Sequence, residues 1–336
     1  MLSSNFDPNS VLFRCSSLGY LMTDSREKSN LDKYNDAVEA VSKKQEQYAN
    51  SKNKETKTAL KLVEDIAKLQ FQIVELEKVK HEETLSETAR THCVDVFVSN
   101  KYNRFTEFSS KECDKGNEVE EDSITIISRI TGKLWKKNDL ELRNDYIRGT
   151  CDLHDGEVQL ISEDGQSWKI VKATQVRDAK SPWNAFTFFR SKFKDVKKLY
   201  YWQLLGYMWL TGARKASIDY CLNNTPYHLV ERALKNESYN HFEGNTPAWI
   251  ELQIIANHVY DIQTFNEYIE MRGCYAIEGD ENAHAVCAGF VPIPLEERHF
   301  NFEFEYNEDD IEALKKRIIL GRKYISTLLK CHDRRI

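Results

Sequence analysis

The chain has 336 residues, a formal net charge of −6, 41% hydrophobic and 30% charged residues, the balance of a globular protein rather than a disordered or fibrous one, and enough length to bury a core. No run approaches the roughly 20 apolar residues that a membrane-spanning helix needs, and the N-terminus MLSSNFDPNSVLFRC has no basic region leading into an apolar stretch, so neither a membrane contact nor a secretory signal is expected. The eight cysteines (Cys15, Cys93, Cys113, Cys151, Cys221, Cys274, Cys287 and Cys331) stand singly with no CxxC pair, which argues against zinc or iron–sulfur ligation and for reduced, mostly buried thiols in a cytoplasm.

In chain order, FRCSSLGYLMTD before Arg26 is an apolar stretch broken by Ser16, Ser17 and Gly19. From about Leu31 to Glu82 the chain is rich in Lys, Glu and Gln and has neither Gly nor Pro. Leu31, Tyr34, Val38, Val41 and Tyr48 keep helical spacing there. After the polar break Asn50–Asn53, the residues Leu62, Ile66, Leu69, Ile73 and Leu76 alternate by four and three, a coiled-coil seam of two heptads. Two such helices around a short polar turn predict an antiparallel helical hairpin over 27–84.

Ser86 is placed to cap a helix through about Tyr102, and a second helix is predicted from about Gly116 through Ile130. Strands follow at Asp145–Leu153, Glu157–Ser162, Trp168–Ala173 and Gln175–Ala179. His154-Asp155-Gly156 and Glu163-Asp164-Gly165 interrupt them, and both triplets end in the Asp-Gly signal of a hairpin. A helix over Lys198–Thr211 closes on Gly212, and Ala216–Leu222 alternates as another strand. Beyond residue 225 the pattern predicts helices at Tyr227–Lys235 and Ala248–Met271, a strand carrying Phe300, Phe302, Phe304 and Tyr306, and a last amphipathic helix over Asp309–Leu329. The expected class is α/β, a central mixed sheet flanked by helices with the helical hairpin inserted. The expected organisation is a single domain over 1–336 with the hairpin at 27–84 and an α/β extension at 226–336.

Three acidic positions and one lysine carry the chemistry. Glu120 lies early on a helix in KGNEVEEDSI, Asp152 at a strand end in RGTCDLHDG, and Asp178 and Lys180 at a strand end in VRDAKSPW. Residues two apart on a strand project from one face, so Asp178 and Lys180 enter one site. Hard carboxylate oxygens suit Mg²⁺, and an ammonium beside them can orient a water or offset charge on a phosphate. In the same helical segment Glu118 and Glu121 compete with Glu120. Glu120 shares its side with Ile124 and Ile127, which puts it nearest the core. In YYWQLLGYMWLTG, Gln203 and Tyr207 are one turn apart on an otherwise apolar helix, where a buried amide needs partners. The acidic net charge gives no global nucleic-acid footprint. A local one exists in Arg190, Lys192, Lys194, Lys197 and Lys198, interleaved with Phe188, Phe189 and Phe193, the pattern that binds phosphates.

The ordered set GTCDL, RDAKSPWNAF, YYWQLLGYMWLTGA and CLNNTP, with KGNEVEEDSI upstream, resembles the PD-(D/E)xK nuclease superfamily and within it the phage exonucleases of the lambda/YqaJ type. The Gln203/Tyr207 pair is similar to the QxxxY element of RecB-like nucleases, and FRCSSLGYLMT resembles the segment that opens such domains. The likeness covers roughly residues 11–25 and 85–225. It implies a restriction-endonuclease-like core and a Mg²⁺-dependent exonuclease acting on linear duplex DNA, with Mn²⁺ substituting. It also implies a host cytoplasm as the setting, a single-strand annealing protein as partner and a homo-oligomer. By resemblance Asp152, Asp178, the carbonyl of Ala179 and Glu120 hold the metal, and Lys180 positions the attacking water. Gln203 orients Lys180, a water or the DNA backbone, while Arg14 and Ser17 meet a 5′-phosphate and Tyr207, Lys192 and Lys194 contact DNA. The chain departs from the family in carrying Asp178 where Glu is commoner, in a longer gap between Asp152 and Asp178, and in the hairpin that follows directly on the opening segment. The residues alone leave open an endonuclease of the same superfamily, or a catalytically silent DNA-binding subunit.

Overall fold

The computed structural model describes residues 6–105, 110–161, 168–241, 246–273 and 280–334. In chain order its elements are β1 (Phe13–Arg14), α1 (Leu18–Leu21), α2 (Asn30–Ala49), α3 (Lys57–Val79), α4 (Glu87–Tyr102), α5 (Lys111–Glu118), α6 (Glu120–Thr131), β2 (Leu142–Arg143), β3 (Ile147–Gly149), β4 (Leu153–His154), β5 (Glu157–Leu160), β6 (Trp168–Val171) and β7 (Gln175–Lys180). Then come α7 (Ala185–Lys192), α8 (Lys198–Thr211), β8 (Lys215–Cys221), α9 (Tyr227–Ser238), α10 (Ala248–Ala256), α11 (Ile262–Arg272), α12 (Glu281–Ala288), β9 (His299–Glu305) and α13 (Glu308–Asp333). The chain divides into two compact units, one of Met1–Val11, Tyr20–Arg104 and Glu312–Ile336, the other of Leu12–Gly19 and Phe105–Ile311.

The first unit carries the predicted hairpin. Ser29 opens α2 with a capping box, its hydroxyl taking the Asp32 amide while the Asp32 carboxylate takes the Ser29 amide, two orphan donors satisfied at once. Thr56 caps α3. Asn30 Nδ2 donates to the carbonyl of Val79 at 3.1 Å, and Lys44 pairs with Asp65 at 2.7 Å, so the two helices run antiparallel. The Leu62–Leu76 seam is half-buried. Leu60, Val63, Phe71 and Val74 of α3 stay exposed. Ser86 caps α4 as expected.

The second unit is built on a four-stranded mixed sheet in the order β4-β7-β8-β9. β7 and β8 are parallel, while β4 and β9 pair antiparallel at the two edges. Along β7 successive side chains alternate faces. Ala179 turns to a cluster of Ile124, Ile126 and Ile127 from α6 with Trp135, Leu153 and Cys221, whereas Asp178 turns to Gln203 of α8. The sheet is therefore held between α6 and α8, each fully buried aliphatic side chain contributing roughly 1.5–3 kcal/mol. Leu204, Leu205 and Met208 are sealed from solvent, which is why α8 is apolar almost all round. Gly212 closes it at φ +74°, in the region glycine occupies without strain.

Four expectations about elements are corrected. The helix over 116–130 breaks at Val119 into α5 and α6; Ser123 Oγ donates to the Val119 carbonyl, a back-bond that bends helices. The strand over 145–153 is two short strands in different sheets, because the Asn138 amide takes the Cys151 carbonyl at 2.9 Å and its backbone N–H takes that of Asp152 at 2.8 Å. The Asp155-Gly156 pair makes no hairpin: the Asp155 carboxylate instead accepts from the amides of Thr174 at 2.7 Å and Gln175 at 2.9 Å. β5 pairs with β6, while residues 162–167, which hold the second predicted turn, lie outside the described residues. The helix over 248–271 is interrupted, since Asp261 caps a new helix that starts at Ile262, its carboxylate accepting the Thr264 amide, and Asn224 takes the Tyr260 amide.

Candidate active site

The register that aligns Leu153 with Arg177 and His154 with Val176 carries Asp152 to the end of β4 beside Asp178 and Ala179 on β7. Asp152 Oδ2 accepts the Ala179 amide at 2.8 Å. Asp178 is 2% exposed; its Oδ1 accepts from Gln203 Nε2 at 2.8 Å, and its Oδ2 sits against the Lys180 ammonium. Gln203 Nε2 also lies 3.2 Å from the Tyr207 hydroxyl. The local fold depends on two glycines packed around Cys15. A Cβ on Gly149 would come within 2.9 Å of the Cys15 sulfur and of the Tyr207 ring, and one on Gly206 within 3.0 Å of that sulfur. A larger residue at either position would drive the opening segment off α8.

Asp152 and Lys180 border a cavity of about 490 Å³ lined also by Ala179, Glu120, Tyr200 and Tyr220, with α5 and the loop after β7 completing its wall. Burial raises the Asp152 carboxyl to about 7, and the neighbouring Asp178 charge pushes the same way, against Lys180 and the Ala179 amide. Burial opposes the Lys180 ammonium, but the Asp178 and Asp152 charges outweigh it and hold its pKa above the ordinary lysine value. Two enclosed carboxylates with one ammonium leave the site short of positive charge.

Glu120 is the first residue of α6, and of the three candidate glutamates it alone lines the cavity. Glu118 turns away to His228 at 3.0 Å, and Glu121 is exposed. The Glu120 carboxylate is held by Lys137 at 2.5 Å, and among the described residues no three His, Cys, Asp or Glu side chains are gathered as a metal set. The oxygen donors of Asp152 and Asp178 and the surplus negative charge nevertheless fit a hard divalent cation. Such a cation would draw on Glu120 only after Lys137 gives way.

Tyr207, expected to face DNA, is 5% exposed and supports Gln203 instead. Gln203 meets Asp178 rather than Lys180. Arg14 and Ser17 do not line the cavity: Ser17 Oγ donates to the Arg14 carbonyl at 3.0 Å, and the Arg14 guanidinium lies 5.9 Å from the centre of the Phe105 ring. Lys192 and Lys194 are exposed on and after α7, and Lys194 lines a second pocket. Sequence reasoning missed Lys115, fully buried, whose ammonium donates to the carbonyls of Pro182 and Trp183 at 3.0 Å each. It also missed the buried Arg177–Asp219 pair at 2.7 Å, which His299 joins at 2.8 Å. Strand alternation puts Arg177 on the opposite face from Asp178, but nothing local reveals its partners.

Neither a family model nor a curated protein matches the chain. Among solved structures, a phage-related exonuclease from Haemophilus somnus 129PT superimposes over 96% of each chain with a TM-score of 0.53 at 18% identity. The chain has that exonuclease's fold. An alkaline exonuclease (LHK-Exo) from Laribacter hongkongensis aligns over 75% of this chain and 87% of its own at 11% identity, with a TM-score of 0.42, which says nothing of the fold. Among the described residues no helix is long and apolar enough to cross a membrane.

Proposed function

We propose that the chain is a Mg²⁺-dependent deoxyribonuclease that degrades linear double-stranded DNA from its ends, leaving single strands for an annealing partner. The observation that carries this reading is the meeting of Asp152, Asp178, Lys180 and Gln203, with Asp152 and Lys180 lining one cavity, in a fold shared with a phage-related exonuclease. Asp152, Asp178 and the Ala179 carbonyl would hold the cation, with Glu120 joining from the cavity rim. When bound, Mg²⁺ supplies Lewis-acid polarisation of the phosphate and lowers the pKa of water.

The protein's own groups do the rest. Lys180, kept charged by its two carboxylate neighbours, presents an ammonium that orients the attacking water and offsets charge developing on phosphorus. Gln203 fixes Asp178 by donating to one carboxylate oxygen, and Tyr207 fixes Gln203, so the carboxylate cannot rotate as charge redistributes. The test is digestion of a 5′-phosphorylated linear duplex with Mg²⁺ beside a covalently closed circle. Loss of the linear form alone is expected. Asp178→Ala and Lys180→Ala should each abolish cleavage while DNA binding survives, and full activity in either would remove the proposed site. Cleavage of the circle would replace the exonuclease with an endonuclease, and binding without cleavage would leave a silent DNA-binding subunit.

A further inference from the structure

Helix α7 separates two cavities. Its Thr187 and Ser191, one turn apart, line the candidate active site, while Ala185, Phe186, Phe189 and Arg190, with Phe193 and Lys194 beyond its end, line a pocket of about 400 Å³. Phe188 alone turns inward, fully buried against the Phe300 ring at 4.9 Å. Phe186 and Phe193 are 58% and 79% exposed. The Phe189 and Phe193 rings lie within 20° of parallel, 6.5 Å apart, and Lys192 hangs 5.9 Å from the Phe189 ring centre. Asn184 fixes the helix start through a capping box with Thr187, so these rings are presented by an ordered element.

Open aromatic faces ringed by Arg190, Lys192 and Lys194 have two uses for a polyanionic strand: flat π surfaces for bases and cations for phosphates. Bases inside a duplex are already stacked, so the rings serve a base that has left its stack. We propose that this pocket holds an unpaired nucleobase of the DNA strand being processed, with Phe189 and Phe193 as stacking rings and Arg190 and Lys194 on the flanking phosphates. The proposal rests on the nuclease reading above. The thickness of one helix, about 10 Å, lies between the two faces of α7 that line the pocket and the candidate active site. Because its rings can stack only with an unstacked base, the pocket favours a strand already parted from its complement over the intact duplex.

The test uses the full-length chain carrying Asp178→Ala, so that DNA is bound without being consumed, and fluorescence anisotropy of a labelled single-stranded 12-mer and of a blunt duplex. Phe193→Ala should weaken single-strand binding about 5- to 150-fold, the worth of one base–aromatic stack, with little change for the blunt duplex. Phe193→Trp should restore it. Lys194→Gln should lower the slope of log Kd against log salt by about 0.7 without changing the preference for single strands. Because Phe193 is exposed, a thermal melt of each variant is expected to match the parent. Wild-type single-strand affinity in Phe193→Ala would overturn the pocket's role, and so would equal competition by poly-glutamate, which would make it a general anion-binding or acidic-peptide surface. Mg²⁺-dependent digestion of linear duplex by the chain with Asp178 intact is measured alongside. If digestion persists while the pocket fails, the nuclease reading stands alone; if digestion and DNA binding are both absent, both readings fall.

Discussion

Lys115 is the buried group whose behaviour the structure predicts most sharply. Its side chain is 0% exposed, and its ammonium donates to the carbonyls of Pro182 and Trp183 in the loop that follows Lys180 and walls the cavity. The Tyr260 ring centre lies 5.8 Å away. Trp183 is flanked by His258 at 5.0 Å and by the Lys111 ammonium at 5.0 Å. Desolvation lowers Lys115 from the ordinary 10.5 to about 7. The folded pKa is below the unfolded one, so between these limits the unfolded chain binds the extra proton, and stability rises with pH from about 7 to 10.5. At about 1.4 kcal/mol per unit, the rise totals about 5 kcal/mol. Lys115→Met keeps the chain length, removes the charge and leaves the Pro182 carbonyl without its donor, at about 1–3 kcal/mol, while the Trp183 carbonyl keeps only the Thr225 hydroxyl at 3.4 Å. All six tryptophans lie between Trp135 and Trp249, within the second unit, so urea unfolding followed by their fluorescence reports on the unit that holds Lys115. Across pH 7 to 10 the stability difference between wild type and Lys115→Met should climb by about 1.4 kcal/mol per unit, because the other titrating groups cancel. His258, lowered by burial, titrates below this window. A flat difference would show that the two carbonyls and the Tyr260 ring keep the ammonium charged, and that desolvation does not win.

Gln203→Leu should reduce apparent Mg²⁺ affinity or kcat by about 10- to 100-fold, the cost of losing a group that orients a ligand, beside about 1–3 kcal/mol of stability for the Asp178 oxygen left without its donor; Mg²⁺ titration of the cleavage rate decides, and wild-type kinetics would strip Gln203 of that role. Arg177→Met should destabilise the second unit by about 3–5 kcal/mol because it leaves Asp219 buried with half its compensation. The double variant Arg177→Met/Asp219→Leu should recover most of that loss in urea, and no recovery would mean that packing, not charge, sets the cost. Gly149→Ala should cost about 1–3 kcal/mol by overpacking Cys15 and Tyr207; an unchanged melt would show that the opening segment yields freely there.

Where one helix or strand carries a periodic pattern, the sequence was readable. α8 runs over the predicted Lys198–Thr211 with its predicted Gly212 cap, Ser86 caps α4, and the hairpin helices follow from their helical spacing and heptads. The reading failed where a side chain captured backbone from far along the chain: Asn138 on Cys151, Asp155 on Thr174 and Gln175, Asn224 on Tyr260. Such bonds leave no local period. The candidate site divides in the same way. The i, i+2 rule put Asp178 and Lys180 on one face, and Glu120 sits nearer the cavity than Glu118 or Glu121, as its side shared with Ile124 and Ile127 implied. That Gln203 seeks Asp178, that Lys137 holds Glu120, and that a lysine lies buried under the cavity wall depend on tertiary neighbours no short segment specifies.

Asp155 has a consequence for how this chain can change over time. By gripping the backbone at Thr174 and Gln175, it ties together the two ends of the β5–β6 ribbon and seats β7 against β4, so the long stretch of chain between the two carboxylates is spooled out without moving either. Doubling a loop's length adds only about 0.6 kcal/mol of closure entropy. Insertions and deletions between β5 and β6 can thus accumulate, or be engineered, while the spacing of Asp152 and Asp178 is set by the Asp155 clasp.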